Sequence, residues 1–391
     1  MTDSKSILIV SHACTRAVNR APYVELMRLG WTVTIVTVAT LNEAGKVAEA
    51  DAIDPDGPAV HLLPLIGGNA RLQRYADLAG LIERIRPAWL IADIDPHSLL
   101  AAELAARKKR LGYRLGFLSC ENLPFGIRAL WNRRGIRGAL LGAFCTAVRQ
   151  WVRSRTDIVF TINSAGTTLF RQAGFRRVVR TPLGFPEAHF RIDDTVREKV
   201  RRELRLTAPV VAYFGRLAPE KGVHILLNAL DQIEDLDWQL LIDDFQAKSG
   251  YQLQIRQRVD TATWADRVRF IHAGHGAVAD YMIAADIVVV PSVTTPNWVE
   301  QYGRVLPEAL ACGCWVIASN VGALPELMGG QGKLTPEGDV EALAGALRGE
   351  IAKSMRCEPR NSSGVEYARQ TLSASAQACL WSRELAGRTA Q

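Results

Sequence analysis

The stretch from Ile287 to Ala318 limits the possible folds more than any other part of the chain. It opens with Ile287-Val288-Val289-Val290, a short apolar run closed by Pro291-Ser292. After a polar loop, Val305, Leu306, Ala309 and Leu310 read as one apolar helix face, ending near Gly313, a residue suited to a helix C-cap. Trp315-Val316-Ile317-Ala318 reads as the next strand. Strand, loop, helix, strand is a βαβ unit. The loop of such a unit opens at the carboxyl edge of the sheet, where ligands bind. Here the loop and helix start read Glu300-Gln301-Tyr302-Gly303-Arg304-Val305-Leu306-Pro307-Glu308. Two carboxylates flank the helix start. Gly303 lets backbone approach a ligand closely, and the N–H groups of Gly303, Arg304 and Val305 would face an anion placed there.

The alternation extends along the chain. Strand-like runs fall at 7–10, 32–38, 60–63, 89–92, 114–118 and 158–160, with helical stretches at 23–29, 72–85, 99–111, 138–153 and 165–172. It starts again at Val210 to Phe214, with a helix over 223–230 and strands at 238–242, 268–271 and 287–290. Strands alternating with helices imply parallel sheets covered on both faces. The expectation is an α/β protein of two doubly wound, Rossmann-like domains facing a central cleft. The boundaries expected are 1–187 for an N-terminal, acceptor-side domain and 188–364 for a C-terminal, donor-side domain, with a polar linker over 186–202. A last helix, Val365 to Leu385 within 365–391, is expected to pack back on the first domain.

With 391 residues, 48% apolar and 22% charged, the chain is globular rather than disordered. Seven scattered cysteines without zinc-finger spacing read as reduced thiols of a cytosolic protein. Asp3 and Lys5 before a short apolar strand do not read as a signal peptide, and no apolar run has the length of a membrane span. The net charge of +7 is uneven: from Arg107 to Arg155 twelve Lys and Arg face one acid, Glu121. Phe125, Trp131, Phe144 and Trp151 are interleaved with them. Such a segment suits an anionic membrane surface or an anionic substrate; a solvated basic face is the plainer alternative, and nucleic acid the least suited.

A second motif is Phe214-Gly215-Arg216-Leu217-Ala218-Pro219-Glu220-Lys221-Gly222, between a strand and a helix. Arg216 offers a planar fork of donors and Lys221 a mobile point charge, a pair that suits a diphosphate. Cations at a helix start oppose its dipole, so an anion between them and the helix explains their presence better than chance surface placement.

Taken with Pro291-Ser292, Glu300 and Glu308-Ala309, this motif resembles family 4 of the glycosyltransferases, the glycosyl transferases group 1 of GT-B fold. Phe270-Ile271-His272-Ala273-Gly274, Ala284-Ala285-Asp286-Ile287 and Val321-Gly322-Ala323-Leu324-Pro325-Glu326-Leu327 extend the resemblance over about 210–350. It implies a retaining, metal-independent hexosyltransferase with a UDP-sugar or GDP-sugar donor and no cofactor. The acceptor would be a glycan or lipid-linked molecule of cell-surface polysaccharide or lipopolysaccharide assembly. By resemblance, Arg216 and Lys221, beside Gly215, hold the diphosphate. Glu300 holds sugar hydroxyls and Glu308 the ribose hydroxyls. Tyr302, Gly303, Arg304 and Val305 surround the β-phosphate, and His272 and Ala273 line the base pocket. The chemistry agrees: a departing diphosphate gains negative charge that cations stabilise, and Glu300 steadies positive character on the sugar.

Four places differ from the family pattern or stand outside it. Where many members have a Gly-Gly pair after the first strand, this chain has Ser11 to Arg20, so Arg16 or Arg20 becomes a candidate contact. Where many have a catalytic-site histidine after the fifth strand, it has Ser119-Cys120-Glu121-Asn122, which makes Glu121 an acceptor-side candidate. His97, after Asp93-Ile94-Asp95, is a further acceptor-side and catalytic candidate. Asp-x-Asp alone is a weak metal pattern, and no metal site is expected. The turn Asp243-Asp244-Phe245 replaces a Gly-rich one for no reason visible in the sequence. A GT-B-fold binding protein without transferase activity and a nucleotide-sugar epimerase remain the alternatives. A dinucleotide oxidoreductase is disfavoured because no Gly-x-Gly-x-x-Gly follows a strand.

Overall fold

The computed structural model describes residues 5–43, 46–67, 71–244, 250–273, 276–356 and 360–387. It divides into one unit of residues 1–184 with 374–391 and a second of 185–373.

Seven strands build the first sheet: β1 (Ser6–Val10), β2 (Thr32–Thr37), β3 (Ala59–Leu62), β4 (Trp89–Asp93), β5 (Arg114–Ser119), β6 (Ile158–Thr161) and β7 (Val178–Arg180). Their order is β7-β6-β5-β4-β1-β2-β3, and every pairing is parallel. Six strands build the second: β8 (Val210–Tyr213), β9 (Gln239–Asp243), β10 (Val268–Ile271), β11 (Ile287–Val290), β12 (Trp315–Ser319) and β13 (Lys333–Thr335). Their order is β10-β9-β8-β11-β12-β13, again all parallel. Both sheets are doubly wound. The strand order reverses beside β1 in one and beside β8 in the other, and the carboxyl edge at such a reversal is where ligands collect. Ile7 to Val10 and Ile287 to Val290 are buried because crossover helices cover both faces.

Several elements differ from the sequence reading. The helix expected at 72–85 covers Leu78–Ile85 alone, and Arg74–Tyr75 pairs instead with Leu65–Ile66 in a two-stranded ribbon. The helix expected at 138–153 is present, running to Arg153, but a further helical stretch from Ile127 precedes it across a non-helical break at Gly135. The expected linker belongs to the second unit: in the helix Asp194–Glu203, Val200 is buried and Arg197 and Arg201 both pair with Asp286. The single helix expected over 365–385 is two, Ser362–Leu372 and Ala374–Ala386, parted by an extended Ser373.

The second of these helices belongs to the first unit. Trp381 stacks on Phe160 with ring centroids 4.4 Å apart and donates from Nε1 to Thr181 Oγ1 at 2.9 Å. Trp31 and Trp89 donate their indole N–H groups to Ser382 Oγ and the Leu385 carbonyl.

Candidate active site

In the second unit, β8 ends at Tyr213, and the turn after it is shaped by two glycines with positive φ, Gly215 and Gly222. A Cβ on Gly222 would lie 1.8 Å from the Pro291 carbonyl oxygen. Only glycine lets this turn close against the end of β11, and the closure brings Lys221 beside the following loop. Lys221 Nζ donates to Glu300 Oε2 at 2.6 Å and lies 4.6 Å from the centroid of the Trp298 ring. Ser292 Oγ donates to the same Glu300 oxygen at 2.9 Å. Glu300 is 5% exposed, so the carboxylate is held in low dielectric by a cation and a hydroxyl.

The loop then turns at Gly303, with φ +76°, into the short helix Val305–Ala311. A Cβ at Gly303 would meet Leu324 Cδ2 at 2.5 Å, a flexible methyl rather than backbone. Gly303, Arg304 and Val305 stand at this helix start, with Tyr302 buried behind them. Glu308 is on the first turn, buried, with Arg304 Nε 3.8 Å from its Oε1. Burial pushes the Glu308 carboxyl up to about 7, and Arg304 only partly offsets it. Arg216 is half-exposed, and its side chain reaches Glu220 at 3.3 Å. Two carboxylates, one ammonium and one exposed guanidinium thus gather at the carboxyl edge of β8 and β11.

At the ends of β9 and β10, Asp243 Oδ1 accepts the Ala273 N–H at 3.2 Å. Asp244, its side chain fully buried, pairs with Arg256 and with His272. The two aspartates therefore tie the β9 edge to the β10 edge, a role for Asp243-Asp244 that the sequence alone did not reveal. His272 is exposed on this edge and Ala273 is buried beneath it. Phe245 and Gly274 lie outside the described residues.

In the first unit, Arg20 is buried, and its guanidinium donates to the carbonyls of Cys14, Thr15, Asp51 and Ala52 at 2.7–3.1 Å. Four carbonyls take four of its five N–H donors, which makes it a clasp for the loop after β1. Arg16 pairs with Asp51 at 3.0 Å. Asp93 accepts from Ser11 Oγ at 2.7 Å, tying β4 to β1, and burial raises its carboxyl above the ordinary range. His97 and Glu121 come together beyond the ends of β4 and β5. His97 Nε2 stands 3.9 Å from Asp95 Oδ2, and Ser119 Oγ donates to Asp95 Oδ1 at 2.5 Å. The N–H groups of Asn122 and Leu123 donate to Glu121 Oε1 at 3.1 and 2.8 Å. Burial, with Asp95 close by, nonetheless lifts the Glu121 carboxyl to about 7. Asp95 joins this group unforeseen, because only the β4–β5 register brings the two loops together.

Residues 196–371 match the family Glycosyl transferases group 1, and residues 17–184 match the Glycosyl transferase 4-like domain. A teichuronic acid biosynthesis glycosyltransferase of Bacillus subtilis is 30% identical over 209 residues, 53% of this chain and 49% of that protein. A D-inositol 3-phosphate glycosyltransferase of Jonesia denitrificans is 29% identical over 190 residues, 46% of this chain and 44% of that one. The chain spans about half the length of the curated relatives it matches. Among solved structures, Anabaena HepE in complex with UDP and glucose superposes with a TM-score of 0.70 at 19% identity, covering 97% of this chain and 99% of that one. Sucrose-phosphate synthase of Thermosynechococcus elongatus gives 0.67 at 20% identity, covering 96% and 97%. With two family matches spanning nearly its whole length and a pair of parallel, doubly wound sheets, the chain belongs to the group 1 glycosyltransferases and has the GT-B fold.

Proposed function

We propose that the protein is a retaining glycosyltransferase that moves a hexose-type sugar from a UDP-sugar or GDP-sugar to a glycan or lipid-linked acceptor. The observation that carries this reading is the buried Lys221–Glu300–Ser292 cluster at the carboxyl edge of β8 and β11. An ammonium has three donors. Lys221 can keep Glu300 and still meet a diphosphate, to which Arg216 adds a forked donor set. As the anomeric C–O bond breaks, the negative charge growing on the diphosphate is met by these two cations, and no metal or cofactor is needed for the donor half-reaction. Glu300 is held in place to take sugar hydroxyls, and Glu308 to take those of the ribose. Anabaena HepE, which shares the fold, is described with UDP and glucose. Thermal unfolding tests the reading. The midpoint should rise with UDP or GDP and its sugar but not with ADP, and the rise should vanish in Lys221→Ala. No shift with any nucleotide would refute it.

The acceptor side of the proposal is a peripheral protein on the cytoplasmic face of a membrane, in cell-surface polysaccharide or lipopolysaccharide assembly. No helix among the described residues is long and apolar enough to cross a membrane. The helix Ile127–Arg153, however, exposes Trp131, Ile136, Leu140 and Phe144, with Arg128, Arg134 and Arg137 also exposed. Exposed apolar groups among arginines on one helix suit an anionic lipid surface. The kinship with a teichuronic acid glycosyltransferase supports a cell-surface product. Flotation with anionic liposomes at low salt should carry the protein upward, and Trp131→Ser with Leu140→Ser should reduce it; a protein left at the bottom rejects this part.

A further inference from the structure

The first unit holds a polar cluster that the donor chemistry does not use. One ligand atom from each of Asp95, His97 and Glu121 lies within 4.8 Å of the others. Asp95 and His97 follow β4, and Glu121 follows β5, so the cluster sits at the carboxyl edge of the sheet, where parallel α/β domains hold ligands. His97 is 2% exposed, yet its Nε2 hydrogen-bonds to no group among the described residues. A buried nitrogen left in this state is destabilising unless a ligand meets it. It lies 3.9 Å from the Asp95 carboxylate, and the ring packs at a tilt against Phe125 with centroids 4.7 Å apart.

The groups behind the cluster are those of an outer ligand shell. Ser119 Oγ orients Asp95, and two backbone N–H groups orient Glu121. Such partners fix ligands in advance and tune their affinity. Bonds of about 2.0–2.2 Å from a central ion place ligand atoms some 3–4 Å apart, so the widest pair needs to close by about 1–2 Å. Arg71 and Arg149 also bear on His97, and Arg71 on Glu121. Their charges oppose an ion held by attraction alone, as Mg²⁺ is. They oppose less an ion held by directed bonds to imidazole and carboxylate, the ligand set that suits Zn²⁺.

We propose that Asp95, His97 and Glu121 form a divalent-cation site in the first unit that takes Zn²⁺ in preference to Mg²⁺. Three protein ligands leave a fourth position for water or a ligand hydroxyl. The site rests on none of the donor assignments, and its test needs no sugar transfer.

The full-length chain, stripped with EDTA and exchanged into chelator-free buffer, is titrated calorimetrically with ZnCl₂ and, separately, MgCl₂. One Zn²⁺ per chain is expected, with Mg²⁺ at least tenfold weaker. His97→Gln and Glu121→Gln should each weaken Zn²⁺ at least tenfold. Co²⁺ added to the unaltered protein should give weak visible bands of nitrogen and oxygen ligation, without an intense sulfur-to-metal band. That spectrum decides the matter even if a variant fails to fold. The absence of saturable Zn²⁺ binding overturns the proposal. So does binding unchanged in both variants, or a thiolate spectrum, which would put the ion on a cysteine such as Cys120 or Cys379. Equal affinity for Mg²⁺ overturns the selectivity.

Discussion

Glu308 shows how one buried side chain links pH to both stability and binding. Its carboxyl is pushed from an ordinary 4.5 up to about 7 by burial. The folded state therefore binds the proton more tightly than the unfolded chain does. The stabilisation this gives is full below about pH 4.5 and is lost as pH rises through 7, amounting to at most about 3 kcal/mol. Glu308→Gln should flatten that slope, read as urea midpoints at pH 5 and pH 8; an unchanged slope would assign it to another group. Ribose hydroxyls donate best to a carboxylate, so nucleotide affinity should rise from pH 6 to pH 8 in the unaltered protein and stay level in the variant. Glu300 forms an ion pair with Lys221. Removing the ammonium in Lys221→Ala strands a buried carboxylate and should cost about 2–4 kcal/mol. Glu300→Gln keeps the hydrogen bonds, so it should retain the fold within about 1 kcal/mol while losing turnover. Loss of fold in Glu300→Gln with turnover per folded molecule intact would make the residue structural.

At the scale of elements, the turn after β8 depends on Gly222 far more than the loop before the helix Val305–Ala311 depends on Gly303. A methyl at Gly222 meets a backbone oxygen of Pro291, which cannot move without moving β11; one at Gly303 meets the end of a leucine. Both positions have positive φ, so both substitutions carry backbone strain of about 1–3 kcal/mol. Gly222→Ala should cost the larger loss, about 3 kcal/mol or more, against about 1–2 for Gly303→Ala, by denaturant unfolding; equal losses would contradict this account. The parallel strands were legible because each is a short apolar run between turn residues, as in Ile287 to Val290. The βα loops that present Lys221 and Glu300 were legible because those loops must open at one sheet edge. The ribbon of Leu65–Ile66 with Arg74–Tyr75 was not, because two-residue strands have no period to read. The start of the helix Ile127–Arg153 was hidden by Gly135, which breaks the apolar spacing. The cluster of Asp95, His97 and Glu121 was hidden for a third reason. Glu121 is separated in sequence from Asp95 and His97 by a whole helix and strand, and only the β4–β5 register brings them together.

For the molecule as a whole, the C-terminal helix is the part whose membership matters most. Chain order puts Ala374–Ala386 after the second unit, but its contacts belong to the first. Trp381 is fully buried there, stacked on Phe160 and hydrogen-bonded to Thr181. Deleting a buried tryptophan side chain costs about 3–5 kcal/mol, since apolar contact is lost and a cavity remains. Domains that each own a core can unfold in separate steps. Trp381→Ala should then lower the unfolding of the first unit by that amount, while the second unit keeps its midpoint and its nucleotide-induced rise. Calorimetry with and without the nucleotide distinguishes the two. If the variant lowers the nucleotide-sensitive transition by the same amount, the units unfold as one cooperative body and the helix stabilises both.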